Sequence, residues 1–264
     1  IILFSVITIT AQQNLTTPQV SQKASVFQRV GLTDIVVNYH RPAANKRVVW
    51  GGIVPYDQVW RAGANENTTI YFSTDVTVEN NKVTAGTYGL HMIPTKKSWT
   101  IIFSKDNAAW GSFFYDEKND AIRFTVNPNT SEFQEWLSYS FDALSASSAT
   151  LSLKWEKLSI PIKIEVDVNE TVVSSMEKEL TGIPGFFWQG WNQIATYAFT
   201  NNYNLDKAST WVDRSIGINK NLTNLMTKSL ILESMGKSQE AEKIKKEAYA
   251  IPGIDEAQVN ALGY

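Results

Sequence analysis

The sequence predicts an α+β protein: an antiparallel, β-sandwich-like domain over residues 22–168, followed by helical hairpins over residues 169–264. Three observations predict this arrangement. Apolar residues alternate in short runs up to about residue 166, as they do in half-buried strands. Turn-forming residues separate these runs at the intervals that an antiparallel sandwich or barrel requires. After Asp167 the apolar residues recur with helical spacing.

The composition excludes several classes of protein. A net charge of −2 over 264 residues provides no basic surface for nucleic acid. The chain contains no cysteine, which excludes a disulfide framework and a thiol nucleophile. Aromatic residues make up 12% and include nine tryptophans, which fits a large core or a groove for carbohydrate or peptide. Beyond the first residues, no apolar run is long enough to predict a transmembrane helix.

The first residues resemble part of a secretory signal. Residues 1–10 form an apolar run that ends near Ala11. We interpret residues 1–11 as a truncated signal peptide with cleavage after Ala11, which satisfies the small-residue requirement. The alternative is an N-terminal strand buried in the core. The signal interpretation predicts an exported protein, located in the periplasm or outside the cell.

Residues 22–168 contain ten or eleven predicted strands. The Arg41-Pro42 step ends the second of them, because proline lacks the N–H that a ladder requires. The pair Asn80-Asn81 predicts a tight hairpin turn. Strand-like runs at residues 48–50 and 59–60 flank the Gly51-Gly52 break. The main predicted strands are residues 25–30, 34–39, 69–72, 75–79, 82–83, 88–93, 99–103, 122–126, 136–141, 149–155 and 160–166.

Five helices are predicted after Asp167. The first begins at Asn169 or Thr171 and ends at Leu180, and apolar stripes then cover residues 187–198, 205–215, 222–232 and 241–251. Gly236 is placed to terminate the fourth helix, and Ser238 to cap the N-terminus of the fifth.

The helical part also contains a repeat. The triplet Ala208, Trp211 and Ile218 recurs 33 residues later as Ala241, Ile244 and Ile251, which resembles a pair of tetratricopeptide-like hairpins. Two hairpins are too few for a free-standing solenoid, so we expect them to pack on the sheet domain. Three tryptophans, at positions 188, 191 and 211, are predicted to be buried between the two domains.

The segment from Trp60 to Glu66 concentrates the recognition chemistry of the chain. Small residues separate Arg61 from Asn65 and Glu66, and Gly63 allows the backbone to approach other groups closely. Arginine forks bind carboxylate or sulfate, amides and carboxylates bind hydroxyls, and tryptophan stacks on sugar faces. The candidate ligand-binding residues are Arg41, Trp60, Arg61, Asn65, Glu66 and Trp110.

A structural interpretation of the same residues competes with this one. Arg61 and Glu66 would pair with each other and with backbone groups, and would pin a loop that lacks regular hydrogen bonds. Trp60 and Trp99 lie on predicted strands, and large aromatic side chains on strands are typical of a core.

Five segments carry a family resemblance: residues 23–31, 39–42, 60–66, 85–90 and 120–123. The most specific is Trp-Arg-Ala-Gly-Ala-Asn-Glu at residues 60–66. Together they resemble the exported bacterial family known as domain of unknown function 2911, over roughly residues 22–166. The resemblance implies a β-sandwich-like domain and export, and it implies no activity. His40 and His91 depart from the family pattern, which commonly has serine and an aromatic residue at these positions.

The sequence offers few ligands for a metal ion or a cofactor. A metal site of two histidines and a carboxylate would use His40, His91 and Glu66. The departure of both histidines from the family pattern argues against such a site. We therefore predict no metal site. The chain has no nucleophile elbow, phosphate loop or dinucleotide motif, and no cofactor is predicted.

These observations predict a secreted or periplasmic, non-enzymatic module that binds a polar small molecule, a glycan or a partner protein. The alternative is a carbohydrate-active hydrolase that uses Glu66. A glycosidase needs two carboxyl groups about 5–10 Å apart. A second carboxylate beside Glu66, supplied by Asp57, Asp116 or Glu117 in an open cleft with aromatic walls, would favour the hydrolase.

Overall fold

The computed structural model describes residues 17–253, and the predicted signal segment, residues 1–11, lies outside the described residues. Within this range, ten strands form two antiparallel sheets and five α-helices follow them, which confirms the predicted α+β class. The strands are β1 (Gln22–Val30), β2 (Thr33–Arg41), β3 (Thr69–Phe72), β4 (Val76–Val78), β5 (Asn81–Val83), β6 (Gly86–Pro94), β7 (Trp99–Ser104), β8 (Asp120–Val126), β9 (Asn129–Asp142) and β10 (Ser148–Glu165). The helices are α1 (Val168–Glu179), α2 (Trp188–Thr200), α3 (Leu205–Ile218), α4 (Leu222–Ser234) and α5 (Ser238–Tyr249).

The two sheets share one hydrophobic core. The larger sheet has six strands in the order β1-β2-β3-β6-β7-β8, and the smaller has four in the order β5-β4-β10-β9. All paired strands are antiparallel. Buried side chains from both sheets belong to a single cluster. Apolar residues on one face of each sheet therefore account for the packing of the strands.

Alternation along β2 separates the two faces of the larger sheet. Ile35 and Tyr39 are buried in the shared core, whereas Asn38 and His40 alternate with them and point the other way. Lys23 of β1 pairs with His40 across the ladder. Because paired residues point to the same side of a sheet, Lys23, Asn38 and His40 share one face, which we call the outer face.

Four tryptophans lie at the centre of the shared core. Trp99 of β7 and Trp155 of β10 come from different sheets, and each packs edge-on to Trp50, at ring-centroid distances of 4.8 and 5.6 Å. Trp60 stacks on Trp155 at 6.1 Å. Aromatic pairs in these geometries stabilise the packing beyond the area that they bury. The tryptophans therefore join the two sheets, as the core interpretation of Trp60 and Trp99 predicts.

Several predicted strand limits are wrong in detail. The predicted strands 149–155 and 160–166 form one strand, β10, which ends at Glu165 and continues through a bulge at Glu156 with a positive φ of 55°. Residues 48–50 form no strand, because Trp50 makes only an isolated bridge to Val54. The hairpin turn between β4 and β5 uses Glu79 and Asn80, one residue earlier than predicted.

The helices pack against their neighbours in the chain and have hydrophobic cores of their own. Helices α2 and α3 contact each other closely, as do α4 and α5. Gly236 ends the turn after α4 with a positive φ of 75°, as predicted, but Ser238 is not a cap and instead donates to Glu233 at 2.8 Å. None of the described helices is both long and apolar enough to cross a membrane. The tetratricopeptide-like interpretation stays a prediction.

The prediction that three tryptophans are buried between the domains is wrong. Trp211 lies in the core of the helical part, and Trp191 packs against that core. Trp188 is only partly buried, and its carbonyl accepts a hydrogen bond from Ser215 at 2.8 Å. Among the described helix residues, Val168 alone packs against the sheet core. The tryptophans pack within the helical part instead. Helical periodicity shows that a residue is buried but does not show whether its partner is a helix or the other domain.

Replacing Trp155 tests the central role of the tryptophan cluster. Trp155→Ala removes a side chain with no solvent exposure and should destabilise the protein by about 3–5 kcal/mol, because the cavity cannot fully collapse. Urea unfolding measures this change. Trp110→Ala is the matched control, since Trp110 is 49% exposed and its loss should cost less than about 1 kcal/mol. Equal losses for the two variants would contradict the assignment.

Candidate functional site

The chain between the bridge at Trp60 and strand β3 is buried without a regular strand partner. Ala62 has no solvent exposure and a positive φ of 50°. Its carbonyl accepts from the Tyr139 hydroxyl of the opposite sheet at 2.8 Å and from the Thr68 hydroxyl at 3.1 Å. Trp60 donates to the carbonyl of Gly63 at 3.1 Å. Side chains thus satisfy backbone groups that would otherwise be orphaned.

Arg61 does not pair with Glu66, so the predicted ion pair is wrong. Its Nη1 donates to the Asn65 carbonyl at 2.9 Å, and its guanidinium lies 5.6 Å from the centre of the Phe113 ring. The guanidinium also rests against Gly111, where a side chain would clash with it. Burial lowers the pKa of Arg61 from its ordinary value. Of the described carboxylates, none lies within salt-bridge distance of Arg61.

Glu66 pairs instead with His40. The distance between His40 Nε2 and Glu66 Oε2 is 3.2 Å. The His40 side chain is 8% exposed and that of Glu66 is 48% exposed, so the pair reaches from the sheet surface to solvent. His40 Nδ1 is buried and lacks a hydrogen-bond partner among the described residues. Because a carboxylate only accepts, we assign the ring proton to Nε2.

A cleft of about 550 Å³ opens beside this pair on the outer face. Its size lies within the range of small-molecule sites. The lining combines an ammonium group, a carboxylate, an imidazole, side-chain amides and hydroxyls. The lining residues are Gln19, Lys23, Asn38, Tyr39, His40, Glu66, Asn67 and Thr69. Such a surface can both donate to and accept from the hydroxyl groups of a ligand.

The other predicted site residues divide between structure and surface. Arg41 donates through Nε to the Leu137 carbonyl at 2.9 Å and therefore ties β2 to β9. Trp60 belongs to the tryptophan cluster and faces the core. Asn65, with a φ of 59°, donates to Gln19 at 2.9 Å at the edge of the cleft. Trp110 is 49% exposed, beside Gly111.

A long connection between β7 and β8 folds over the outer face next to the cleft. We call residues 105–116 the cover loop. Asn107 donates to the Thr87 carbonyl at 2.8 Å. The amide of Asn67, in its favoured orientation, donates to the carbonyls of Ala109 and Gly111. These bonds hold the loop to the strands and place Gly111 against Arg61.

Ser112 of the cover loop is bonded to His91 of β6. The distance between Ser112 Oγ and His91 Nδ1 is 2.9 Å, and the Tyr115 ring packs 5.3 Å from the imidazole. Burial lowers the pKa of His91 to about 4, although the charges of Asp120 and Asp106 act in the opposite direction. His91 is therefore neutral at pH 7. Its role here is to anchor the loop.

The set of His40, His91 and Glu66, against which the sequence argued, does not assemble as a metal site among the described residues. His40 is engaged by Glu66 and His91 by Ser112. Among residues 17–253, no three His, Cys, Asp or Glu side chains are grouped as metal ligands. None of the three carboxylates considered as partners for Glu66, Asp57, Asp116 and Glu117, lines the cleft beside it. Asp116 caps a short 3₁₀ helix, and Glu117 pairs with Arg123 at 3.3 Å.

Sequence reasoning did not place Lys23 on the same face as His40, and it considered His40 with Glu66 only as metal ligands. The period-two pattern of β2 contained part of the signal, because it places Asn38 and His40 on the face opposite the core. The pairing of β1 with β2 then adds Lys23. The contact between His91 and Ser112 had no such signal, since it depends on how the cover loop folds back.

The fold and the site together define a class: a two-sheet antiparallel domain with a polar cleft on one outer face, followed by helices. A family model described as "Protein of unknown function (DUF2911)" matches residues 21–164, which is more than half of the chain. The chain belongs to this family, which confirms the resemblance found in the sequence. No curated protein and no solved structure matches the chain.

Replacing Gly89 tests how closely the cover loop packs on the sheet. A Cβ at Gly89 would lie 2.5 Å from the Asp106 carbonyl oxygen, so Gly89→Ala should displace the loop and cost about 1–3 kcal/mol. Hydrogen exchange at residues 106–116 should accelerate. Gly217→Ala adds the same methyl group to α3 where no atom lies within 4 Å, and should stabilise the protein by about 0.5–1 kcal/mol. Unchanged exchange in Gly89→Ala would contradict the packing.

The buried, neutral state of His91 predicts a dependence of stability on pH. The pKa of His91 is depressed from 6.5 to about 4, so its contribution is complete above pH 6.5 and is lost as the pH falls toward 4. The total loss should be about 3 kcal/mol. Denaturant unfolding between pH 7.5 and 4.5 measures it. His91→Gln should show a shallower fall over this range, and an unchanged slope would refute the assignment.

Proposed function

We propose that the protein is a non-enzymatic binding module that holds a hydroxyl-rich polar ligand, a short glycan, in the cleft on the outer face. The observation that carries the proposal is the lining of the cleft. Lys23, Asn38 and Thr69 offer donors, and Glu66 offers an acceptor held in place by His40. Sugar hydroxyls both donate and accept, and each such group needs a partner when it leaves water.

The shape of the sheet supports the proposal. The ladders fix the backbone positions of the cleft residues on β1, β2 and β3, so the spacing of these side chains across the face is set before a ligand arrives. A preorganised site loses less conformational entropy on binding. By contrast, the cleft between α1 and α2 is about 210 Å³ and is lined mainly by apolar groups such as Val172, Met176 and Leu180. It offers few groups for a polar ligand.

The hydrolase alternative lacks support at this cleft. Of the described residues that line it, Glu66 is the only carboxylate. A glycosidase needs a second carboxyl group as acid, base or nucleophile. Binding without turnover is therefore the better account of the site. The signal-like residues 1–11 motivate the further proposal that the module acts after export, which fractionation of cells that produce the full-length protein would test.

Replacing Glu66 tests the proposed function. Glu66→Gln keeps the shape but removes the charge, so the affinity for a neutral glycan should fall about tenfold, as expected for loss of a charge-assisted hydrogen bond. Isothermal titration with cellotriose, xylotriose and maltotriose measures the affinity. Glu132→Gln, an exposed residue of β9, is the control and should bind as wild type. Failure of all three sugars to bind wild type, or equal losses in the two variants, would contradict the proposal.

A further inference from the structure

Arg61 is a cation whose charge the described protein does not neutralise. It makes one hydrogen bond, from Nη1 to the Asn65 carbonyl. No carboxylate among the described residues lies close enough to neutralise its charge. A guanidinium carries five N–H donors, so the contact with Asn65 leaves most of its donors for another group. A partly buried charge without a counter-ion is costly, and an anionic ligand would relieve that cost.

Two sets of contacts connect Arg61 to the lining of the polar cleft. Asn65, whose carbonyl it binds, donates to Gln19 of the cleft lining at 2.9 Å. Asn67 lines the cleft and also holds the carbonyl of Gly111, against which the guanidinium rests. In each set of contacts a single residue, Asn65 or Gly111, stands between Arg61 and a residue that lines the cleft.

The charges around the cleft favour an anion. Lys23 contributes a second cation to the lining. Glu66, the only carboxylate among the described lining residues, is already engaged by His40. Arg61 and Lys23 outnumber Glu66, so these three residues together carry one net positive charge, which favours a negative ligand.

Aromatic rings stand in the open beside the arginine. Phe113 is 75% exposed although its ring lies over Arg61, and Trp110 is 49% exposed. Both belong to the cover loop, which is held to the sheet by Asn67 and by the bond between Ser112 and His91. Exposed aromatic faces stack on the apolar faces of sugar rings. An arginine fork next to such rings suits a sugar that carries a carboxylate.

We infer that Arg61 and the exposed rings of the cover loop form a carboxylate subsite next to the cleft, and that the ligand is an acidic glycan built from uronic acids. The inference rests on the proposed function and assigns the ligand class. Arg61 binds the carboxylate, Phe113 and Trp110 stack on the ring that bears it, and the cleft binds hydroxyl groups of the neighbouring sugar.

Cellotriuronate and cellotriose test the inference, because they share rings and linkages and differ only at C6. Titration calorimetry with the wild-type protein should show at least tenfold tighter binding of the uronate, with a preference that declines as salt is added. Arg61→Ala should reduce the preference to less than twofold, because it weakens the uronate far more than it weakens cellotriose. Arg61→Lys, which keeps the charge without the fork, should retain an intermediate preference.

Further variants, thermal unfolding and a non-sugar ligand separate the possible outcomes. Arg29→Ala removes an exposed arginine paired with Asp34 and should leave the preference unchanged, and thermal unfolding of each variant reports whether it is folded. Phe113→Ala should weaken both sugars by a similar factor. Equal binding of the two sugars to wild type would overturn the subsite while leaving the proposed function intact, and binding of neither would overturn both. Binding of N-acetylphenylalanine as tight as that of the uronate would overturn the glycan assignment.

Discussion

The buried carbonyl of Ala62 is the constraint on which the site depends. Ala62 lies between the isolated bridge at Trp60 and strand β3. The backbone groups of this segment therefore lack the partners that a strand would supply. Tyr139, from the smaller sheet, and Thr68 provide those partners. Because both sheets thereby fix one short segment, the residues on either side of Ala62 have set directions: Trp60 faces the core, and Arg61 meets the cover loop.

The two faces of the larger sheet carry different kinds of side chain. The inner face supplies aromatic and aliphatic surface, and the contact of Trp99 with Trp50 and Trp155 joins the sheets. The outer face carries the charged and polar groups, of which His40 and His91 are nearly inaccessible to solvent yet lie outside the core cluster. Burial without apolar packing is costly for a polar group unless it has a partner. Glu66 is the partner of His40 beside the cleft, and Ser112 of the cover loop is the partner of His91.

Periodicity in the sequence predicted the fold class well, because strand and helix spacings are local. It predicted the burial of Trp99 for the same reason. The proposed ion pair between Arg61 and Glu66 rested on the need to pin the loop with polar groups. The structure instead joins Arg61 to the Asn65 carbonyl, and Glu66 to His40 of β2, which is distant in sequence. The contact between His91 and Ser112 spans 21 residues and depends on the cover loop, whose path no local pattern encodes.

The proposed function requires that recognition takes place on the outer face of the larger sheet and not among the helices. Backbone amide chemical-shift mapping of the wild-type protein, titrated with cellotriuronate, locates the binding surface. The largest changes should fall at residues 38–40, 61–69 and 110–113. Changes concentrated at residues 172–193, which include most of the lining of the cleft between α1 and α2, would contradict it, as would the absence of any localised change.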